Sequence, residues 1–295
     1  MKPRIYFDVW GSRGSRSLVP PFSRIGNRTS CYSLLRGPEL LVLDAGLGLA
    51  ALTHAMSAQK RFHGVRAVHV LVTHAHMDHW EGLKDADWFW VRNDGLEVTL
   101  HGTDEALNAI RSGYSHPLYV PLERLAEGKL RQLKSRTLRA DERIRLGDWS
   151  IETCALNHYS GAGRRRLFLD TVGYRISAEG GPNLAYLSDH EPTAHTRETE
   201  RRMTRDGHLV VLDAHFPDIA QHAFGHGSQE HAAIVARESP GTLVLAGHHG
   251  PAFSDAQIER SRRRHGRELP NLDLAVEGRT YVWDAARKAF AQRAR

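Results

Sequence analysis

The stretch Thr73-His74-Ala75-His76-Met77-Asp78-His79 puts four potential metal ligands into six positions. It follows residues 68–72, a short run that reads as a strand buried on both faces. In an extended segment residues i and i+2 point the same way, so His74 and His76 can share one ion. A turn into a following helix would swing Asp78 and His79 toward a second. Imidazole and carboxylate are suitable zinc ligands, with Zn–N distances of ~2.0–2.1 Å. A lone buried histidine is ordinarily a satisfied core residue. Three with an aspartate are not, because burying them without an ion strands several polar groups.

A two-ion site needs more ligands, and later strand ends offer them. His158 follows the strand-like run 149–156, Asp189 follows 184–187, and His248 follows 243–246. Open α/β sheets place their sites just past the C-terminal ends of strands. Taken singly, each residue reads as an ordinary loop histidine or surface aspartate. The same placement three times points to one shared site.

The elements that would position these residues alternate between strand and helix character. Residues 4–10 read as a strand, and 11–27 as a long Gly/Ser/Pro/Arg loop. Residues 30–35 and 40–43 pair as a hairpin across Arg36-Gly37-Pro38. Helix is expected over 47–57, 104–111, 122–133, 193–205, 229–238 and 254–264. Further strands are expected over 149–156, 171–176, 184–187, 209–212 and 243–246. No repeat, linker or low-complexity tract interrupts the pattern, so the expectation is a single α/β domain over residues 1–295 with layered architecture.

Bulk properties narrow the class further. The chain has 295 residues, 41% hydrophobic and 25% charged, as expected of a globular protein with a sizeable core. No apolar run approaches the ~20 residues a membrane helix needs. Residues 1–15 carry no secretory signal pattern, which makes the cytoplasm the default expectation. Cys31 and Cys154 are the only cysteines and read as buried free thiols rather than a disulfide or a zinc ligand pair. The net charge of +6 and pI near 9.5 come largely from arginine, in runs such as Arg164–Arg166, Arg201-Arg202 and Arg262–Arg264. Such runs are usually solvated faces, yet together they favour an anionic substrate.

The landmarks Leu43-Asp44-Ala45-Gly46, the histidine motif, Asn157-His158-Tyr159, Leu187-Ser188-Asp189 and Gly247-His248-His249-Gly250-Pro251 occur in the order found in the metallo-β-lactamase superfamily. The chain resembles that family over nearly its whole length. The resemblance implies a four-layer αβ/βα sandwich. It implies that His74, His76 and His158 bind one ion, that Asp78, His79 and His248 bind another, and that Asp189 bridges them. Asp44 would orient a ligand by accepting its hydrogen bond. Zinc is the first choice of metal, with manganese and iron as alternatives.

Phe7-Asp8-Val9-Trp10-Gly11-Ser12-Arg13-Gly14-Ser15, Gly26-Asn27-Arg28-Thr29-Ser30-Cys31, Thr171–Ile176 and Gly225-His226-Gly227-Ser228 are similar to bacterial members near ribonuclease Z and the phosphodiesterase-like hydrolases. Leu212-Asp213-Ala214-His215 falls at an acidic segment of ribonuclease Z, and His226-Gly227-Ser228 at its His-Ser-Thr element. There are departures. Arg28 is inserted in the usual Gly-Asn-Thr-Ser-Cys run, and residues 160–170 add a basic loop. Gly247 is an extra residue, so His249 competes with His248 as last ligand. No Gly/Pro-rich tRNA-gripping arm is visible, which leaves nucleic acid unsupported as a substrate.

Two divalent ions a few ångströms apart can share a hydroxide and hold a phosphoryl or carbonyl oxygen, since zinc lowers the pKa of water from 15.7 to about 7. The expectation is a dinuclear hydrolase of a small or nucleotide-like anionic phosphodiester. Asp78, Asp213 and His226 are the catalytic candidates, and Arg13 a substrate contact. The competing readings are an ester, thioester or lactone hydrolase on the same site and a non-catalytic metal-binding module. A homodimer is left open.

Overall fold

Leu40 and Val42 face one side of their strand and Leu41 and Leu43 the other, and all four are fully buried. In the opposite half of the chain, Leu209 and Val211 point one way and Val210 and Leu212 the other, again without exposure beyond a few per cent. Strands apolar on both faces need cover on both. The architecture supplies it with two sheets back to back and helices outside each.

The computed structural model describes residues 4–18, 23–161 and 165–293. Arg164 of the basic run lies outside the described residues. The first sheet contains β1 (Ile5–Gly11), β2 (Cys31–Arg36), β3 (Glu39–Leu43), β4 (Ala67–Leu71), β5 (Asn93–Gly102) and β6 (Leu130–Thr137). The second contains β7 (Arg143–Leu146), β8 (Trp149–Ala155), β11 (Val172–Ala178), β12 (Asn183–Leu187), β13 (Leu209–Asp213), β14 (Leu243–Gly247) and β15 (Leu272–Leu274). A two-stranded hairpin, β9 (Tyr159–Ser160) and β10 (Leu167–Phe168), stands apart. The terminal pair β16 (Thr280–Asp284) and β17 (Ala289–Gln292) returns to the first sheet beside β1.

Phe7, Leu41 and Leu43 of the first sheet and Trp149, Tyr174, Tyr186 and Val211 of the second fill the space between the sheets. Outside the first sheet lie α1 (Gly48–Ala58), α2 (Asp104–Gly113) and α3 (Leu122–Ala126), where Leu49, Leu52, Leu107 and Ile110 meet Val42, Val70 and Val98. Outside the second lie α4 (Arg197–Thr204), α5 (Gln229–Glu238) and α6 (Asp255–Gly266), where Met203, Val235 and Ile258 meet Val210 and Val244. This is the four-layer αβ/βα sandwich. Burying one such aliphatic side chain contributes roughly 1.5–3 kcal/mol.

The site depends on register. β3 to β6 run parallel, as do β12 to β15. Leu43 is level with Leu71, and Leu187 with Leu212, which is itself level with Ala246. The strands therefore release Asp44, His74, Asp189, Asp213 and His248 at one edge of the sandwich.

Two local expectations are corrected. Residues 122–133 are not one helix: α3 stops at Ala126, and from Leu130 the chain pairs with β5 along its length. Long-range pairing outweighs local helix pattern there. The segment carrying Asp78 and His79 turns through a short 3₁₀ helix, Met77–His79, rather than entering an α-helix. Both cysteines are free and buried, as the sequence implies.

Candidate metal centre

Each histidine of the first group has one ring nitrogen held by the protein. Nδ1 of His74 meets the Thr73 hydroxyl at 3.0 Å, and Nε2 of His76 meets the Ser160 hydroxyl at 2.7 Å. Nδ1 of His158 donates to the Gly225 carbonyl at 2.9 Å. Nδ1 of His79 is held by Asp44 Oδ2 at 2.7 Å, and Asp44 also accepts the Tyr186 hydroxyl at 2.6 Å and the Thr73 N–H at 2.8 Å. Fixing one nitrogen this way sets the tautomer and aims the other. The Gly225 backbone, at φ +74°, runs so close to His158 that an added Cβ would lie 2.8 Å from its Cα.

The aimed nitrogens converge on Asp189. Its Oδ2 lies 3.7 Å from Nε2 of His74 and 3.7 Å from Nε2 of His158. Its Oδ1 lies 3.2 Å from Nε2 of His79 and 2.9 Å from Nδ1 of His248. Nε2 of His158 is also 3.0 Å from Nδ1 of His76, and Asp78 Oδ2 is 3.4 Å from Nε2 of His79. Two donors each ~2.0–2.1 Å from a tetrahedral ion stand roughly 3.3 Å apart. The observed separations bracket that value.

The sequence-predicted residues thus gather into one set of His74, His76, His158 and Asp189 and another of Asp78, His79 and His248. Nε2 of His74 and of His79 are buried without a hydrogen-bond partner, a costly state that a cation would relieve. The donor types and spacing fit divalent metal. Charge agrees. Burial alone would lower the pKa of His79, yet Asp189, Asp44 and Asp78 hold it well above its ordinary value. Burial alone would raise Asp189, yet His248 and His79 hold it well below. So much buried carboxylate demands positive charge.

Backbone strain marks the same places. Asp44, Asp189 and His248 adopt φ of 57°, 48° and 50°. Non-glycine residues persist there only where the surroundings over-determine them. His248 is the member of the His-His pair that reaches the cluster. His249 turns away, its Nε2 donating to the Ala275 carbonyl at 3.3 Å.

Asp213 and His226 form a buried pair beside the cluster, with Nδ1 of His226 2.8 Å from Asp213 Oδ2. Asp213 is fixed by the N–H groups of His190 at 3.1 Å and His215 at 2.9 Å. His226 does not cap α5. Ser228 does, accepting from the His231 N–H at 3.1 Å. A cleft of about 500 Å³ opens over Asp78, His158, Asp189 and His226, and Arg16, Met77, Glu81 and Phe224 also line it.

Arg13 is corrected. It is fully buried, and its guanidinium bonds the Gly26 and Phe253 carbonyls, Ser23 and Asp255, so it faces no substrate. Arg166 stacks over the Tyr159 ring at 4.5 Å. Sequence reasoning did not assign a role to His215, whose ring stacks on His226 with centroids 4.2 Å apart, although Asp213-Ala214-His215 at a strand end was the available signal. It also missed Glu200, because nothing local to α4 marks a buried carboxylate, and with it His190, whose Nε2 meets that carboxylate at 2.9 Å.

Residues 40–249 match the sequence model of the Beta-lactamase superfamily domain. No curated protein matches the chain. Solved structures share the fold. The metallo-beta-lactamase fold protein YhfI from Bacillus subtilis is 16% identical with TM-score 0.66, covering 95% of this chain and 100% of its own. A diphosphatase from the PhnP family is 17% identical with TM-score 0.62, covering 94% and 97%. The human short-form tRNase Z is 14% identical with TM-score 0.59, covering 93% and 98%. The matched segment runs from β3 to the His248-His249 pair, and the chain belongs to the metallo-β-lactamase superfamily.

Proposed function

We propose that this chain is a two-cation hydrolase that cleaves a phosphodiester of a small anionic substrate. The observation that carries the two-cation part is the division of Asp189, one oxygen turned to His74 and His158 and the other to His79 and His248. Divalent cations held by these residues would supply Lewis acidity and lower the pKa of water toward neutrality. The remaining work falls to the protein. Asp44, Ser160, Gly225 and Thr73 orient the imidazoles, and Asp189 and Asp78 supply the charge that retains cations.

The phosphodiester part rests on Asp213 and His226. Fold does not choose substrate, but a protonated imidazole lining the cleft suits a leaving alkoxide. Burial works to lower the pKa of His226, and the Asp213 carboxylate outweighs it, so the ring is pushed up to about 9. Arg16, exposed at the cleft wall, offers a cation to an anionic substrate. Similarity in fold to a diphosphatase and a tRNase Z is compatible with this chemistry.

A second reading has one observation in its favour. Met77 and Phe224, 60% and 49% exposed, give the cleft an apolar rim that suits the acyl part of an ester or thioester. The test is a panel of aryl phosphodiester, lactone and thioester substrates on metal-analysed protein. The phosphodiester should be turned over fastest per metal-loaded chain. A reversed order supports the ester reading, and no turnover at all supports a binding module.

A further inference from the structure

Arg13 is one of the largest wholly buried side chains, and a guanidinium cannot be buried without several partners. It has them. Nε donates to the Gly26 carbonyl at 2.7 Å, Nη1 to the Phe253 carbonyl at 3.2 Å, and Nη2 to Ser23 at 2.7 Å and to Asp255 at 2.8 Å. Asp255 opens α6 and also accepts the Ser23 hydroxyl and the Arg24 N–H. The side chain therefore ties residues 12–15 to the start of a helix on the far side of the second sheet.

What those residues do with their main chain is the informative part. The Ser15 N–H donates to Asp78 Oδ2 at 2.8 Å. Gly14 lies against the ring of His248, where an added Cβ would come within 2.3 Å of Cδ2 and Nε2. The Gly14 N–H donates to the His249 carbonyl at 3.1 Å, and the His249 N–H to the Ser12 carbonyl at 2.9 Å. Ser30, 3.2 Å from Nδ1 of His248, hydrogen-bonds the Arg13 carbonyl at 3.5 Å. Two of the three residues in the Asp78, His79 and His248 set thus rest on this loop. His74, His76 and His158 are held by Thr73, Ser160 and Gly225 instead.

We infer that Arg13, clamped by Asp255, is a positioning residue that sets the geometry of the Asp78–His79–His248 cation site and leaves the His74–His76–His158 site untouched. This rests on the two-cation reading above. The clamp fixes the backbone of residues 12–15, that backbone fixes Asp78 and His248, and slack in it spreads the donors of one site only. Outer partners of metal ligands commonly change affinity by ~10–100-fold when altered.

The experiment uses the full chain, stripped of metal and titrated with Zn²⁺ against a chromophoric chelator, for wild type, Arg13→Lys, Arg13→Ala and Asp255→Asn. Thermal unfolding of the same metal-free proteins is measured alongside. Wild type should show two affinities. In Arg13→Ala and Asp255→Asn one of the two affinities should fall ~10–100-fold, with the other unchanged. Arg13→Lys should recover part of the loss, since an ammonium still reaches Asp255. Losses shared equally by both sites, losses that scale with the fall in metal-free stability, or an Asp255→Asn protein that titrates like wild type would each overturn the inference. A wild type that binds a single ion overturns the two-cation reading, and this inference with it. Two ions bound normally in every variant overturns the clamp alone.

Discussion

Asp44 Oδ2 lies 2.7 Å from Nδ1 of His79, and both residues are wholly buried. The contact fixes which nitrogen of His79 faces Asp189 and lends it charge. Asp44→Ala removes the acceptor and leaves the ring free to turn in a buried pocket. The expected result is a ~10–100-fold loss of metal affinity. Tyr186→Phe removes one donor from the same carboxylate and should cost about 2 kcal/mol in stability, with metal binding kept. Calorimetric metal titration and denaturant melts separate the two effects. An Asp44→Ala protein with wild-type affinity would take Asp44 out of this role.

Metal content gives the broadest test. Elemental analysis of purified protein should find close to two ions per chain. His76→Ala should lose metal, because the Nδ1 that faces His158 at 3.0 Å is removed. Asp189→Ala should abolish turnover even where one ion remains, since both sets of donors meet at that carboxylate. Full activity in exhaustively demetallated protein would end the two-cation reading proposed here.

That these histidines and aspartates cluster was legible in sequence because parallel strands in register end at one edge. A residue just past each apolar run is therefore a neighbour of the residue past the next. The choice between His248 and His249 was not legible. Adjacent residues on a strand end differ only in which way the chain turns, and the turn is set by the left-handed backbone at His248 and by the loop at Ser12 and Gly14. Arg13 misled for a related reason. Its partner Asp255 is 242 positions away, and local sequence cannot distinguish a cation that meets its acid at that distance from one awaiting an anion. β6 was hidden because its pattern fits a helix face and only pairing with β5 decides otherwise.

Glu200 links stability to pH. It is buried on α4, accepting from Nε2 of His190 at 2.9 Å and Nη1 of Arg197 at 2.7 Å, with Nε2 of His231 at 3.3 Å. Burial would raise its pKa, but these partners, His190 and His231 foremost, hold it well below the ordinary 4.5. A depressed folded value means the contribution is complete above about 4.5 and is lost as pH falls toward the lowered value. Glu200→Gln should cost about 2 kcal/mol near neutrality, the range for hydrogen bonds to a charged group. The gap between wild type and variant should narrow as pH drops from 6 to 3, read from urea midpoints at each pH. A gap that stays constant over that range would show that the carboxylate charge contributes nothing.

His226 is expected to act on the leaving group rather than on metal. An alkoxide leaves poorly and gains from a proton delivered as the bond breaks, help commonly worth 10²–10⁴-fold. Asp213, 2.8 Å from Nδ1, fixes the tautomer and holds the ring protonated at neutral pH. The raised value of about 9 implies that turnover of an alkyl diester declines as pH climbs through it. Cations bound alongside repel the proton and draw that decline lower. The opposing possibility is that His226 belongs to the metal shell, because donor atoms of His215, His226 and His248 lie within 4.8 Å of one another. Leaving-group dependence distinguishes the two. In His226→Ala, hydrolysis of an alkyl phosphodiester should fall by ~10²–10⁴-fold. A nitrophenyl diester, whose leaving group needs no proton, should lose little, and metal content should stay at the wild-type level. Asp213→Asn should reproduce the same selectivity in milder form, since the neutral amide no longer holds the imidazolium. Equal losses on both substrates, or loss of an ion in His226→Ala, would move His226 out of the acid role and into the metal shell.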